Sequence, residues 1–364
     1  MSVFHRSLGV SCLALGALCM SQMVVAADST LAYSQTNLAS DGAVSALHID
    51  PNLKNPWGIA AAPGGAFWFS DNSSGLSTLY DGLGDVIPLV VTLPGPKGSS
   101  SSFTAAPTGI VWNPDSNLFT VGPQQAAVFI FATEDGTISA WNPAANLHTA
   151  ILEVDASKRG AGAVYKGLAL ATNSSGVHLY ATNFRAGTVD VYDSTFKSVK
   201  LKGDFTDPQI PAGYAPFGIA AIDGNLFVTY ALQDAGKHDD VKGAGHGVID
   251  VFSTEGHFIK RFATHGVLNS PWGIARAPYD FGPASTRILI GNFGDGWINS
   301  FDADGANRGP LLDPSGYPIS IDGLWSITFG SESATEPNKL YFTAGPNGEA
   351  DGLFGSIQVT KVAE

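Results

Sequence analysis

One phrase recurs six times along this chain, and that recurrence restricts the fold more than any other feature. It reads Asn55-Pro-Trp-Gly-Ile-Ala60, Pro107-Thr-Gly-Ile-Val111, Tyr165-Lys-Gly-Leu-Ala169, Pro216-Phe-Gly-Ile-Ala220, Pro271-Trp-Gly-Ile-Ala275 and Leu324-Trp-Ser-Ile-Thr328. Its third position is Gly58, Gly109, Gly167, Gly218, Gly273 and Ser326, spaced 51, 58, 51, 55 and 53 residues apart. A fixed period of this length marks a repeat architecture, and one four-stranded propeller blade with long loops fits it. Each unit continues with an apolar second strand, such as Phe67–Asp71, Leu179–Asn183 or Ile288–Asn292, rich in β-branched and aromatic residues. An alternating third strand follows, often ending in an aromatic, as at Tyr80, Trp141, Tyr192, Phe252 and Phe301. The 43 glycines and 21 prolines fall between these runs and mark turns rather than helices. The expected fold is an all-β, six-bladed β-propeller.

The sixth unit runs out of chain after its third strand, near Ser356–Val359, while Ala32–Leu38 has no blade of its own. The N-terminal segment is therefore expected to supply the missing outer strand and close the ring, hiding an open sheet edge. Two stretches break the period. Lys97–Thr104 is Ser-rich and reads as a linker. Ala231–Gly247 is a polar, histidine-bearing insertion in the fourth unit.

The N-terminus has the layout of an export signal: His5 and Arg6, an apolar run over Leu8–Met20, then small residues at Val25, Ala26 and Ala27. This predicts a cleaved segment over residues 1–27, a propeller over 28–364, and a periplasmic or extracellular location. Cys12 and Cys19 both lie in the leader, so the processed chain has no disulfide, thiolate metal site or cysteine nucleophile. The net charge of −13 disfavours nucleic acid and anionic lipid as partners. No other apolar run is long enough to cross a membrane.

The phrases NPWGIA, FIFATEDGTISAWNP and AVYKGLAL, with QDAGKHDDVKGAGHGVIDVF and IGNFGDGWINSFD, resemble a family of exported bacterial six-bladed propellers without an assigned function. Some of its members carry a PEP-CTERM sorting tail; this chain ends at Lys361-Val-Ala-Glu364 without that motif, which implies a soluble product after export. The PxGI and FWFSDN phrases are similar to NHL-repeat and streptogramin-lyase-type blades, a likeness of blade grammar rather than of chemistry.

Three candidate sites follow. Trp57, Thr108, Lys166, Phe217, Trp272 and Trp325 precede the third phrase position and form one ring. Its aromatics suit stacking on a sugar or flat ring, with Lys166 fixing an anionic group, or simple packing between blades. A second ring ends the second strands, at Asp71, Thr133, Asn183, Tyr230, Asn292 and Ala344. Asp71, Asn183 and Asn292 offer oxygen ligands for a divalent cation such as calcium, or cap turns. Gluconolactonase-type propellers have a comparable Glu/Asn/Asn/Asp site, but place Asn where this chain has Trp, Thr, Lys or Phe before its glycines. Third, His238, Asp239 and Asp240 in the insertion, with His246 nearby, can form a general base or a metal ligand set, or a solvated loop. Asn347, Glu349 and Asp351 can add one amide and two carboxylates to the same face, though their spacing matches no known ion loop. The chain contains neither a G-x-S-x-G nor an H-E-x-x-H motif. These features leave three functions open. One is binding of a small molecule or an envelope protein at the channel face, another is metal-assisted hydrolysis or lysis of a lactone-like ring, and the third is a structural cell-envelope module.

Overall fold

The computed structural model describes residue 1, residues 30–330 and residues 336–362; the expected leader lies outside the described residues. The chain forms six sheets around a central channel. Blade 1 contains Pro56–Ala61, Phe67–Asp71, Leu76–Tyr80 and Val86–Thr92, and blade 2 contains Pro107–Trp112, Phe129–Thr133, Thr137–Trp141 and Ile151–Asp155. Blade 3 has three strands, Tyr165–Asn173, Gly176–Asn183 and Thr188–Asp193, and Tyr192 makes only an isolated bridge to Ser198 where a fourth would run. Blade 4 contains Tyr214–Ile222, Asn225–Leu232, Val248–Ser253 and Phe258–Thr264. Blade 5 contains Pro271–Arg276, Ile288–Asn292, Ile298–Phe301 and Asn307–Pro310. Blade 6 contains Leu324–Phe329, Leu340–Ala344 and Leu353–Lys361.

The ring closes as expected. Leu31–Ser40 pairs antiparallel with Leu353–Lys361 from Leu31↔Lys361 to Ser40↔Leu353 and so becomes the outer strand of blade 6. Tyr33 adds a second tie: its hydroxyl donates to Phe281 O at 2.9 Å and accepts from Ala284 N at 2.8 Å, both beside blade 5. A small hairpin, Thr120–Val121 with Gln125–Ala126, interrupts blade 2 and was not anticipated from sequence.

The core is divided, not central. Between each pair of neighbouring blades lies an apolar cluster, exemplified by Trp68, Phe129 and Trp141 between blades 1 and 2, and Leu289, Leu324 and Phe342 between blades 5 and 6. Every blade is covered on both faces, which is why the second strands of blades 1, 2, 5 and 6 are buried at every position. A further cluster, Trp57, Phe184, Phe217, Trp272, Phe293 and Trp325 with two alanines, fills the channel itself.

The repeated phrase has a backbone cause. In every blade the inner strand carries one extra residue between its first pairing and the following Ile or Leu, as in Pro56↔Asp71 then Ile59↔Phe69, or Tyr165↔Asn183 then Gly167↔Thr182. The same one-residue bulge recurs in blades 2, 4, 5 and 6. A bulge re-aims a side chain and bends its strand, and here it falls at Trp57, Thr108, Lys166, Phe217, Trp272 and Trp325. The adjacent glycine permits close approach of the next blade. A Cβ on Gly218 would sit 2.2 Å from Trp272 O, and one on Gly109 2.4 Å from Leu168 N. Threonines stitch the same seam: Thr108 Oγ1 donates to Tyr165 O at 2.8 Å, Thr182 Oγ1 to Phe217 O at 2.7 Å, and Thr343 Oγ1 to Trp57 O at 2.6 Å.

Candidate functional site

Antiparallel pairing puts the start of each inner strand beside the end of each second strand, so both predicted rings lie at one end of the channel. The aromatics of the first ring meet on the axis. Trp57 stacks on Trp325 at 3.5 Å between ring centroids, Phe293 stacks on the same indole at 3.8 Å, and Trp272 meets Trp57 edge-on at 6.2 Å. Phe217 lies deeper, wholly buried against Phe184 and Trp325. This plug separates two recesses. One is lined by the inner strands themselves, including Gly58, Ile110, Gly167, Trp272 and Ile274.

The other recess, of about 400 Å³, is the polar mouth. Trp57, Trp325 and Phe293 form its floor; Asn55, Asn72, Glu134, Lys166, His238, Asp239, Asp240, Lys242 and Glu349 form its wall. Four carboxylates thus face two lysines and a histidine. Lys166 is almost wholly buried, and its ammonium pairs with Glu134 and, at 3.2 Å, with Asp239. Burial alone would lower its pKa, but the two carboxylates outweigh that and hold it above the usual lysine value. Asn72 Nδ2 donates to the other oxygen of Glu134 at 2.9 Å.

The insertion of blade 4 reaches over this mouth as an ordered hairpin. Asp234 Oδ1 accepts from His238 N at 2.8 Å and Asp239 N at 3.2 Å, Lys237 takes a left-handed φ of 52°, and Gln233 bridges Asp240. This turn brings His238 Nδ1 to 2.8 Å from Asp239 Oδ1. That hydrogen bond raises the imidazole pKa, and with Lys166 it holds Asp239 well below the usual carboxylate range. Burial pushes Asp240 up. His246 sits off the cavity wall, its Nδ1 2.8 Å from Val241 O.

Glu349 enters from the far side of the ring. Asn347, Gly348 and Glu349 all have left-handed backbones, with φ of 56°, 66° and 70°. Such a run in non-glycine residues is strained and persists only where its surroundings fix it. Asn55 does so, donating to Glu349 Oε2 at 3.1 Å. Burial chiefly raises the Glu349 pKa.

The three oxygen ligands proposed for a calcium-type ion are placed differently. Asp71 is fully buried and accepts from Thr78 Oγ1 at 2.8 Å, Asn183 Oδ1 accepts from Val164 N and Ala186 N, and Asn292 Nδ2 donates to Val267 O and Asp295. Each serves its own blade or the segment entering it, and none of them lines the polar mouth. A different set gathers there: Glu134, His238 and Asp239 bring one ligand atom each within 4.8 Å of one another. Sequence reasoning reached His238 and Asp239 but missed Glu134. It directly follows Thr133 of the second ring, and a lysine in a ring of aromatics calls for a nearby carboxylate.

No family model matches the chain. It is similar to uncharacterized proteins of Acanthamoeba polyphaga mimivirus. One is 35% identical over 327 residues, covering 88% of this chain and 78% of the relative; another is 32% identical, covering 88% and 84%. The relatives found are thus viral. Among solved structures, virginiamycin B lyase from Staphylococcus aureus shares 16% identity and a TM-score of 0.52, covering 90% of this chain and 99% of the lyase. A putative gluconolactonase shares 15% and 0.54, covering 90% and 93%. Likeness at this level shows the six-bladed fold alone. The mimivirus matches go further: the chain belongs to the same family as these viral proteins.

Proposed function

We propose that the protein binds a small, hydroxyl-bearing ring compound in the polar mouth of its channel. One observation carries this reading. The Trp57 indole lines the floor of the recess, yet its N–H is buried without an acceptor among the described residues. A buried donor left unpaired costs free energy, and a ligand oxygen or ordered water at the floor satisfies it. The walls suit such a ligand: Glu349, Asp240 and Asn72 offer acceptors and donors for hydroxyls above an apolar floor. Lys242, whose ammonium rests 3.7 Å from the Phe293 ring centre and makes no ion pair among the described residues, is the cation placed to meet an acidic substituent. The leader-like N-terminus supports export of this binding protein. Among the described residues no helix is long and apolar enough to cross a membrane.

The test is a melting-temperature screen with sugars, sugar acids, sugar lactones and cyclic polyols, followed by calorimetry on any hit. Saturable stabilisation that weakens at least tenfold in Asn72→Ala and in Glu349→Gln supports the reading. A panel without effect, or a hit indifferent to both substitutions, overturns it.

A second reading rests on His238 and Asp239. An imidazole oriented by a carboxylate on a cavity wall is the arrangement of a general base, and solved propellers of this fold include the lyase and the putative gluconolactonase named above. Turnover of a cyclic ester that vanishes in His238→Gln would favour it over simple binding.

A further inference from the structure

The geometry points to Lys166 as a built-in cation: its ammonium holds both carboxylates of a metal-type ligand cluster, and that cluster accepts a divalent transition ion only when the ammonium is removed. Glu134, His238 and Asp239 form a mixed imidazole and carboxylate set, with one ligand atom each inside 4.8 Å. Zinc, manganese and cobalt take such donors. They come from two blades: Glu134 follows the second strand of blade 2, and His238 and Asp239 lie on the blade 4 hairpin. Lys166 reaches them from blade 3, between the two, and contacts both carboxylates.

Among the described residues the ammonium makes no other ion pair. Its side chain is 1% exposed, the Trp57 ring lies at 5.0 Å and the Phe184 ring at 5.8 Å, and Asp240 and Glu349 act on it only from across the recess. An ion entering the cluster would take both carboxylates from a buried positive charge and leave that charge unpaired beside a second one. Like charges at short range in a poorly solvated site repel strongly. The fixed ammonium therefore does what a bound ion does elsewhere. It draws carboxylates of separate blades together and pins the hairpin over the mouth, with the hairpin's position independent of divalent-ion supply. This inference does not rest on the identity of the ligand, and the two fail separately.

Cobalt(II), added to the purified protein, tests it through the visible bands of the bound ion. The wild type and Lys166→Arg should show no saturable uptake at this cluster. Lys166→Met should gain one equivalent, lost again in Lys166→Met/His238→Ala. Chelator should leave the wild-type melting temperature unchanged. One-equivalent uptake by the wild type that disappears in His238→Ala overturns the inference. So does a Lys166→Met protein with native circular dichroism that takes up no cobalt. If Lys166→Met does not fold, the wild-type and Lys166→Arg titrations decide: uptake dependent on His238 in either one overturns the inference, and its absence from both, with chelator-independent melting, upholds it.

Discussion

The Trp325 indole N–H donates to Asn55 Oδ1 at 2.9 Å, across the seam where blade 6 meets blade 1. The same amide turns its Nδ2 to Glu349, so one side chain seats both the floor of the mouth and a carboxylate of its wall. Asn55 itself has φ of 47°, a left-handed conformation that Asn tolerates better than most residues. Asn55→Ala should therefore strand a buried indole donor, remove the Glu349 partner and strain the backbone together. A loss of about 1–3 kcal/mol is expected for the unsatisfied group alone. Denaturant unfolding measures it, and a loss near zero would mean that water replaces the amide without penalty.

The glycine of the repeated phrase gives a second prediction. Gly218 has no room for a methyl group, because its Cβ would meet the Trp272 carbonyl. Gly218→Ala should cost about 1–3 kcal/mol or more through overpacking. Ser326, which holds the same position in blade 6, already carries a Cβ. Ser326→Ala should thus be nearly neutral. Equal effects of the two substitutions would show that the close approach between blades is not what requires glycine.

Much of this architecture was legible because it repeats. Apolar second strands leave the same trace in the sequence six times and a bulge beside a glycine five times, with Ser326 in the sixth blade, and the unpaired Ala32–Leu38 segment points to its place by elimination. The aromatic plug was legible for the same reason, since Trp57, Trp272 and Trp325 occupy one phrase position. The wall of the mouth was not. Glu134 meets Lys166 from another blade, and Glu349 reaches Asn55 across 294 residues through a left-handed turn. Glu134 does occupy a repeated position, one residue past the second-strand ends like Asn72 and Phe293, but the residue type there changes from blade to blade, so the repeat marks the place without its chemistry. The ring of second-strand ends shows the reverse: its period is real, but Asp71, Asn183 and Asn292 bond to neighbours outside the mouth, and among the described residues Asp71 Oδ1 and Asn292 Oδ1 keep no partner.

Ring closure by the N-terminal strand predicts a long-range effect of a short deletion. Removing residues 28–49 would uncover the Leu353–Lys361 edge and take away the buried side chains Tyr33, Leu38 and Ala39 that pack against blades 5, 6 and 1. An exposed, unpaired strand edge invites pairing with another molecule. A chain beginning at Asp50 should melt well below the full-length protein and elute partly as higher-order species. If it melted like the full protein and stayed monodisperse, the sixth blade would be stable without its outer strand.

The hairpin latch makes stability depend on pH, with a sign that follows from its groups. His238 faces Asp239, Glu134 and Lys166, and the Asp239 hydrogen bond raises its pKa above the ordinary 6.5. The folded protein thus binds this proton more tightly than the unfolded chain. The contribution is fully present below about pH 6.5 and is lost as pH rises through the higher folded value. Asp239 works the other way: its lowered pKa gives stability that is present above the ordinary carboxylate range and disappears in acid. Between these limits, in weakly acidic solution, the latch carries its full charge pairing. Raising the pH from about 6 to 9 should therefore lower the wild-type melting temperature more than that of His238→Gln, which cannot titrate. Amide hydrogen exchange over residues 233–241, corrected for its intrinsic pH dependence, should rise across the same interval in the wild type alone. Parallel pH profiles for the two proteins would show that the imidazole charge does not hold the hairpin.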